Sequence, residues 1–558
     1  MLTPTPLEEL LDLAADVIGC DRRTLPAGAA GSPFITLGGG LAQAVRLQAR
    51  AGRQLGLAVD LAQLLGPAPL ADVLARAVPV PAAVPGPPAG AGAVRALLPG
   101  QRAALAAERE AGAGAVCRVL SAELAGPLDA GALRRVLAAL GARHEGLRTV
   151  FADAPHGPVR RVLAACAPPL VTLEAAGAGG GGDPVAAVHG YLAARARQLV
   201  GRPGRPPLVF ALSRLAGGAH LLSFVYHDAV ADGWSAALLW QELLADYDRA
   251  VHRRPLVRAV RPGPDTAGRA AVAARPGGLR AAAGRAERLR GFPAAVDWAE
   301  GAPRPAVFDV RGELLHVGVD VRLRDAADAT ARRAGVPHGT VLLAAWALAV
   351  GRRAGLERLL VGCEVPRRAT AALLGTLAPC SATVPVGCEL EGGVDYFLRG
   401  IACAFGEALG CADLDTAELA RELGVRPDRS RPVLTPVTFA ARDELLPARV
   451  RAGALSARFH HGHAGAVTAD AALTVLRWRE DPLLRLEFAP AVLSRTRAVR
   501  LAREMRGALA ALTAAPPHTP VDDLLPAPAG ARGLALPLPQ GLSGGSGRRE
   551  VTAPHRHR

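Results

Sequence analysis

The chain contains no lysine and no asparagine in its 558 residues. All 65 Lys+Arg residues are therefore arginine, set against 50 acidic residues for a formal charge of +15. Such a surplus would indicate a nucleic-acid partner if it formed a stripe with interleaved aromatics. The arginines are instead dispersed and aromatics are only 4% of the chain, which argues against nucleic acid. Absent Lys and Asn beside 63 Gly, 46 Pro and abundant Ala point to codon usage biased toward G and C. Long apolar runs are missing too. None reaches the roughly 18 residues that span a bilayer, and Met1 to Glu8 lacks the basic-then-apolar pattern of a signal peptide. The expectation is a cytoplasmic protein with no membrane partner. The eight cysteines make no Cys-x-x-Cys pair, and a large cytosolic chain needs no disulfides, so most read as small buried apolar residues.

Half the residues are hydrophobic, enough for two to four lobes at roughly 150 residues each. The stretch Val78 to Ala93, rich in Pro and Gly, reads as a linker. Before it, 1–77 carries helical spacing over Leu7 to Val17, Leu41 to Leu55 and Leu70 to Ala77, a small all-α bundle. After it, a body of α/β (α+β) class runs to about Leu525. Its amphipathic helices, such as Ala132 to Leu140 and Thr340 to Val350, mix with strand-like runs such as Leu221 to Val225 and Leu314 to Val319. Weaker breaks fall at Ala178 to Gly182 and Arg261 to Arg290. They divide the body into 94–270 and 271–527, with 528–558 a Pro/Gly/Ser-rich tail expected to be disordered.

The richest segment is Leu221 to Leu243, where an apolar strand runs through His227, Asp228, Asp232 and Ser235 into an amphipathic helix. A polar loop at a strand end displays side chains on a rigid support. His227-Asp228-Ala229-Val230-Ala231-Asp232-Gly233-Trp234-Ser235 resembles the His-His-x-x-x-Asp-Gly hallmark of nonribosomal peptide synthetase condensation domains. Further blocks occur in the family's order: Leu98-Pro99-Gly100-Gln101-Arg102, Arg143-His144-Glu145-Gly146-Leu147-Arg148-Thr149, Val361-Gly362 with Arg368, Leu374-Gly375, and Asp428-Arg429-Ser430-Arg431. The resemblance implies two chloramphenicol-acetyltransferase-like lobes in a V, with a tunnel where two carrier-tethered acyl groups meet. It also implies that Asp232 pairs with Arg368, and that Gly233 and Arg148 are structural at the site. Trp234 reads as core.

In the family the second hallmark His is catalytic, and Asp228 stands there. A carboxyl group, with a pKa of about 3.9 against about 6.5 for imidazole, is a far weaker base near neutral pH. Its charge would also face the oxyanion of acyl transfer. His227 is one residue too far from Asp232 to take that role without redirecting its side chain, and reads as structural.

The N-terminal piece resembles a peptidyl or acyl carrier domain through Phe34-x-x-Leu37-Gly38-Gly39, Ala44, Arg46 and Leu47. Where that family has the phosphopantetheine serine, this chain has Leu41, which has no hydroxyl; Ser32 lies on the wrong side of the glycine pair. No cofactor is expected on this chain, and phosphopantetheine is expected on partner carriers. His460-His461-x-His463, placed in a loop, is an incomplete metal-ligand set, and Gly179 to Gly182 lacks the Lys-Ser/Thr of a phosphate loop. Two readings follow: a catalytically impaired member that docks carriers of a peptide or polyketide assembly line, or an active condensation enzyme that uses Asp228 or His227 to orient an amine or hydroxyl acceptor.

Overall fold

The computed structural model describes residues 5–80, 94–111, 116–173, 183–200, 204–257, 263, 278–298, 303–410, 412, 416–442 and 445–524. The glycine run 178–182, Cys411, most of the 261–277 segment and the tail 528–558 lie outside them.

The N-terminal bundle is built from the helices Pro6–Ile18, Leu41–Gln54, Leu61–Leu64 and Leu70–Ala75. Thr5 starts the first with a reciprocal capping box to Glu8, the exchange that satisfies two orphan donors. Leu10, Ala14, Phe34, Ala44, Leu47, Leu64 and Leu70 are wholly buried. A Cβ on Gly39 would lie 2.2 Å from the Phe34 ring, so the ring can cover the chain there only because residue 39 has no side chain. Val78–Pro79 pair antiparallel with Leu57–Ala58, so regular structure continues into the stretch read as linker.

The body is a mixed α/β fold with two six-stranded sheets. The first runs Arg449–Ala452, Leu455–His461, Cys117–Ala125, His220–His227, Leu208–Arg214, Leu170–Leu173. One face carries the helices Ala130–Arg143 and Gly233–Val251 over a core of Phe210, Phe224 and Trp240; the other carries Pro184–Val200. The second sheet runs Glu313–Gly318, Leu483–Phe488, Ala471–Arg477, Val437–Ala441, Arg358–Pro366, Ser381–Glu389. The largely buried helix His338–Ala354 and the helix Val394–Gly410 pack on it, and the bundle's core is continuous with this lobe's. Strands buried on both faces explain runs such as Leu221-Leu222-Ser223-Phe224-Val225-Tyr226, apolar without alternation.

The lobes do not divide the chain at one point. Arg449–Ala452 and Leu455–His461, from the C-terminal half, return to the first sheet, where Leu455–His461 pairs with Cys117–Ala125. Phe459 meets Trp240 edge-on at 5.7 Å, and this burial favours the crossover. His460 and His461 therefore end a strand, which corrects the loop placement. No single helix among the described residues is long and apolar enough to cross a membrane.

Candidate functional site at the lobe seam

The strand His220–His227 ends at the seam, and five residues later Asp232 caps the helix Gly233–Val251 by accepting from Ser235 N–H at 2.7 Å. A short polar side chain here satisfies one of the helix's orphan donors. Asp232 does more. Its carboxylate accepts from Arg368 at 2.9 Å and from the backbone N–H groups of Cys380 and Ser381, each at 2.9 Å. The Arg368 guanidinium, 1% exposed, also donates to the carbonyls of Thr376 and Ala378 and to Ser235 Oγ. One carboxylate thus fastens the hallmark helix of one lobe to the 368–381 segment of the other.

Burial pushes the Asp232 carboxyl up, but Arg368 and the Ser235 and Ser381 donors outweigh it and hold the group below its ordinary value of 3.8. A lowered folded value means that the contribution is present above the unfolded pKa and lost as pH falls through the folded one. We expect the Cys380 and Ser381 amides to keep their hydrogen-exchange protection as pH falls to the ordinary carboxyl value of 3.8 and to lose it only below that; in Asp232→Asn that acid-dependent step is absent.

Two motif glycines are explained by the same seam. A Cβ on Gly100 would lie 2.6 Å from the Pro379 carbonyl oxygen, and one on Gly146 2.3 Å from that of Leu377. Gln101 donates from Nε2 to the Ala229 carbonyl at 3.2 Å and so holds the hallmark loop from beneath. Arg148 is not brought to this site. Its guanidinium holds the carbonyls of Gly141, at 2.8 Å, and of Leu163 and Ala164, tying a helix end to a strand end. Gly233 lies against Arg442, whose Nε would be 3.1 Å from an added Cβ.

His227 is 3% exposed and uses both ring nitrogens. Nδ1 accepts from Ala229 N–H at 2.9 Å, which leaves the proton on Nε2 to point at Glu108 Oε2, 3.0 Å away. The imidazole is a brace inside the loop. Asp228 is equally committed: its two oxygens accept from Arg118 Nε at 3.1 Å each, and Oδ2 also from Nη2 at 3.0 Å. This is the bidentate geometry that makes guanidinium–carboxylate pairs strong. Arg118 is in turn held charged, chiefly by Asp228.

Arg118 lines a cavity between the lobes together with Tyr226, Gly233, Arg442, Leu445, His461, His463, Arg485 and Glu487. Burial pushes the Cys117 thiol beside it up to about 12, so it offers no thiolate. Burial, with Arg485 and Arg442, holds His461 well below 6.5 and hence neutral. Its placement escaped the sequence because the three nearby histidines suggested only a metal set. They diverge: His460 contacts Glu123 at 3.0 Å, His463 faces Glu487 at 3.5 Å, and His461 lines the cavity. The sole available signal was the short alternation of Leu455 to His461. A second, apolar cavity adjoins the first at Leu445 and is lined by Leu41, Leu343, Phe439 and Ala441.

Two α/β lobes pinned by an Asp–Arg pair, with a strand-end hallmark loop beside the cavity between them, define the class of fold to which this chain belongs. The chain belongs to the Condensation domain family, whose model matches residues 96–440. It is 30% identical over 384 residues to CymA of Salinispora arenicola, named a probable non-canonical nonribosomal peptide synthetase, covering 65% of this chain and 4% of that protein. It is 28% identical over 344 residues to the phosphinothricin tripeptide synthetase PhsC of Streptomyces viridochromogenes, covering 58% of this chain and 31% of that one. The chain therefore spans a minor part of these relatives. Among solved structures, the X-domain from teicoplanin biosynthesis is matched at 21% identity and a TM-score of 0.65, covering 78% of this chain and 99% of that chain. The first condensation domain of the calcium-dependent antibiotic synthetase is matched with the same values.

Proposed function

We propose that this condensation-family protein serves a natural-product assembly line by docking carrier domains, and that its hallmark loop no longer performs proton transfer. The observation that carries the reading is Asp228, with both oxygens engaged by Arg118. A solved complex of the teicoplanin X-domain with OxyB supports the idea that this fold can serve as a binding platform. The partners are carrier domains bearing phosphopantetheine. The N-terminal bundle is read as a carrier that has lost its arm: at the attachment position Leu41 packs against apolar side chains and offers no hydroxyl for a phosphodiester, so the group does not fit on this chain.

A second reading, an active enzyme, is favoured by one feature. His461 puts an imidazole, the side chain that most often serves as a general base, on the cavity wall, although the burial and the arginines that keep it neutral also weaken it as a base.

The test has two steps. With a phosphopantetheinyl transferase and coenzyme A, the intact mass of the full chain should not change. Titrated with arm-loaded carriers of its own assembly line, the chain should show saturable binding. Arm addition to the chain, or no binding by any of those carriers, contradicts the reading.

A further inference from the structure

We infer that the N-terminal bundle is a built-in stopper, seated over the apolar cavity at the lobe junction and closing that entrance to other carriers or acyl groups. The helix Leu41–Gln54 begins directly on the cavity, with Gly40, Leu41 and Ala42 forming one wall and Leu343, Phe439 and Ala441 of the body the others. Ala42 and Val45 pack onto Trp234 in the first turn of the hallmark helix, and Leu374 and Leu445 close the cluster. The Arg46 guanidinium lies 5.3 Å from the Trp234 ring centroid, a cation–π distance. On the far side Arg479 donates to the Gly38 carbonyl at 3.2 Å, and Ala62 sits where a Cβ on Gly406 would be 3.6 Å away.

The bundle is therefore gripped by both lobes, and its core runs into that of the second lobe without a break. That differs from a transient encounter, which buries little and stays polar. Covalent attachment through residues 78–93 raises the bundle's effective concentration at this entrance above that of a free competitor. Leu41 is suited to the post: an uncharged aliphatic side chain meets apolar walls with no polar group to satisfy. The inference stands on this seam alone and holds whether or not Asp228 is inert.

The experiment follows the labelling of Ala441→Cys in the full chain by a maleimide, read site by site by mass spectrometry. Exposed Cys403 serves as internal standard. With the bundle seated, Cys at 441 should react at least about tenfold more slowly than Cys403, as expected for a site that reacts only through local opening. Val45→Arg on the bundle side and Gly406→Gln on the body side should each speed it about tenfold or more. Amide protection of the helix Pro6–Ile18 shows that the bundle is still folded. Because Gly406→Gln alters no bundle residue, it separates release from unfolding. Labelling as fast as Cys403 in the otherwise unaltered chain overturns the inference. So does labelling that stays slow in both variants once the Leu41–Gln54 amides have lost their protection against the body.

Discussion

Arg368→Ala is expected to destabilise the junction between the lobes by about 3–5 kcal/mol, the cost of removing one partner of a buried ion pair. The expectation rests on what the guanidinium leaves behind. Asp232 keeps its Ser235, Cys380 and Ser381 donors but loses its countercharge. The carbonyls of Leu373, Thr376 and Ala378 lose a donor inside the protein. Leu373 keeps the Thr376 N–H and Ala378 keeps Ser235 Oγ and the Cys380 N–H as donors, so the uncompensated Asp232 charge carries most of the expected loss. Denaturant unfolding followed by hydrogen exchange at residues 376–381 and 232–236 should show the loss concentrated at the seam. A loss below about 1 kcal/mol, typical of an exposed pair, would mean that the lobes are held by apolar packing alone.

The second large effect concerns chemistry. A positioned general base contributes about 10²–10⁴-fold to a rate, and Asp228 cannot supply it. Protonating Asp228 would cancel the charge on which its bidentate pairing with Arg118 rests. His227 cannot replace it, since Nδ1 accepts from the Ala229 N–H and Nε2 faces Glu108. Without a base at the loop the attacking amine has no group there to take its proton, and docking the two carriers does not supply one. Condensation between carrier-bound groups is therefore expected to proceed within a few-fold of the carriers alone, far short of the factor a base provides.

Much of this was legible in the sequence because the motifs are local. The strand, the loop and the helix start sit within Leu221 to Leu243, and the carboxylate at 232 is spaced to cap the helix it precedes. The Arg368 pairing entered through family resemblance; nothing in the spacing of 136 residues suggests it. Arg118 was invisible for another reason. It lies within the strand Cys117–Ala125 and reaches Asp228 because Arg118 pairs with Tyr226 across the sheet, a register that depends on tertiary contacts. The return of Leu455–His461 to the first sheet was hidden likewise. Alternating burial predicts a strand but names no neighbour, and the partner was chosen by the space beside Trp240. Leu41 shows the limit most clearly. The sequence could say that it lacks a hydroxyl, and only the packed structure places it over a cavity.

The most direct measurement is single-turnover condensation with the full chain, a donor carrier bearing an acyl thioester and an acceptor carrier bearing an aminoacyl group, compared with Asp228→Ala and His461→Ala. Product should form no faster than with the carriers alone, to within a few-fold, and neither substitution should change it. Product well above that background and lost with Asp228→Ala would contradict the account outright; product lost only with His461→Ala would move catalysis to the crossover strand.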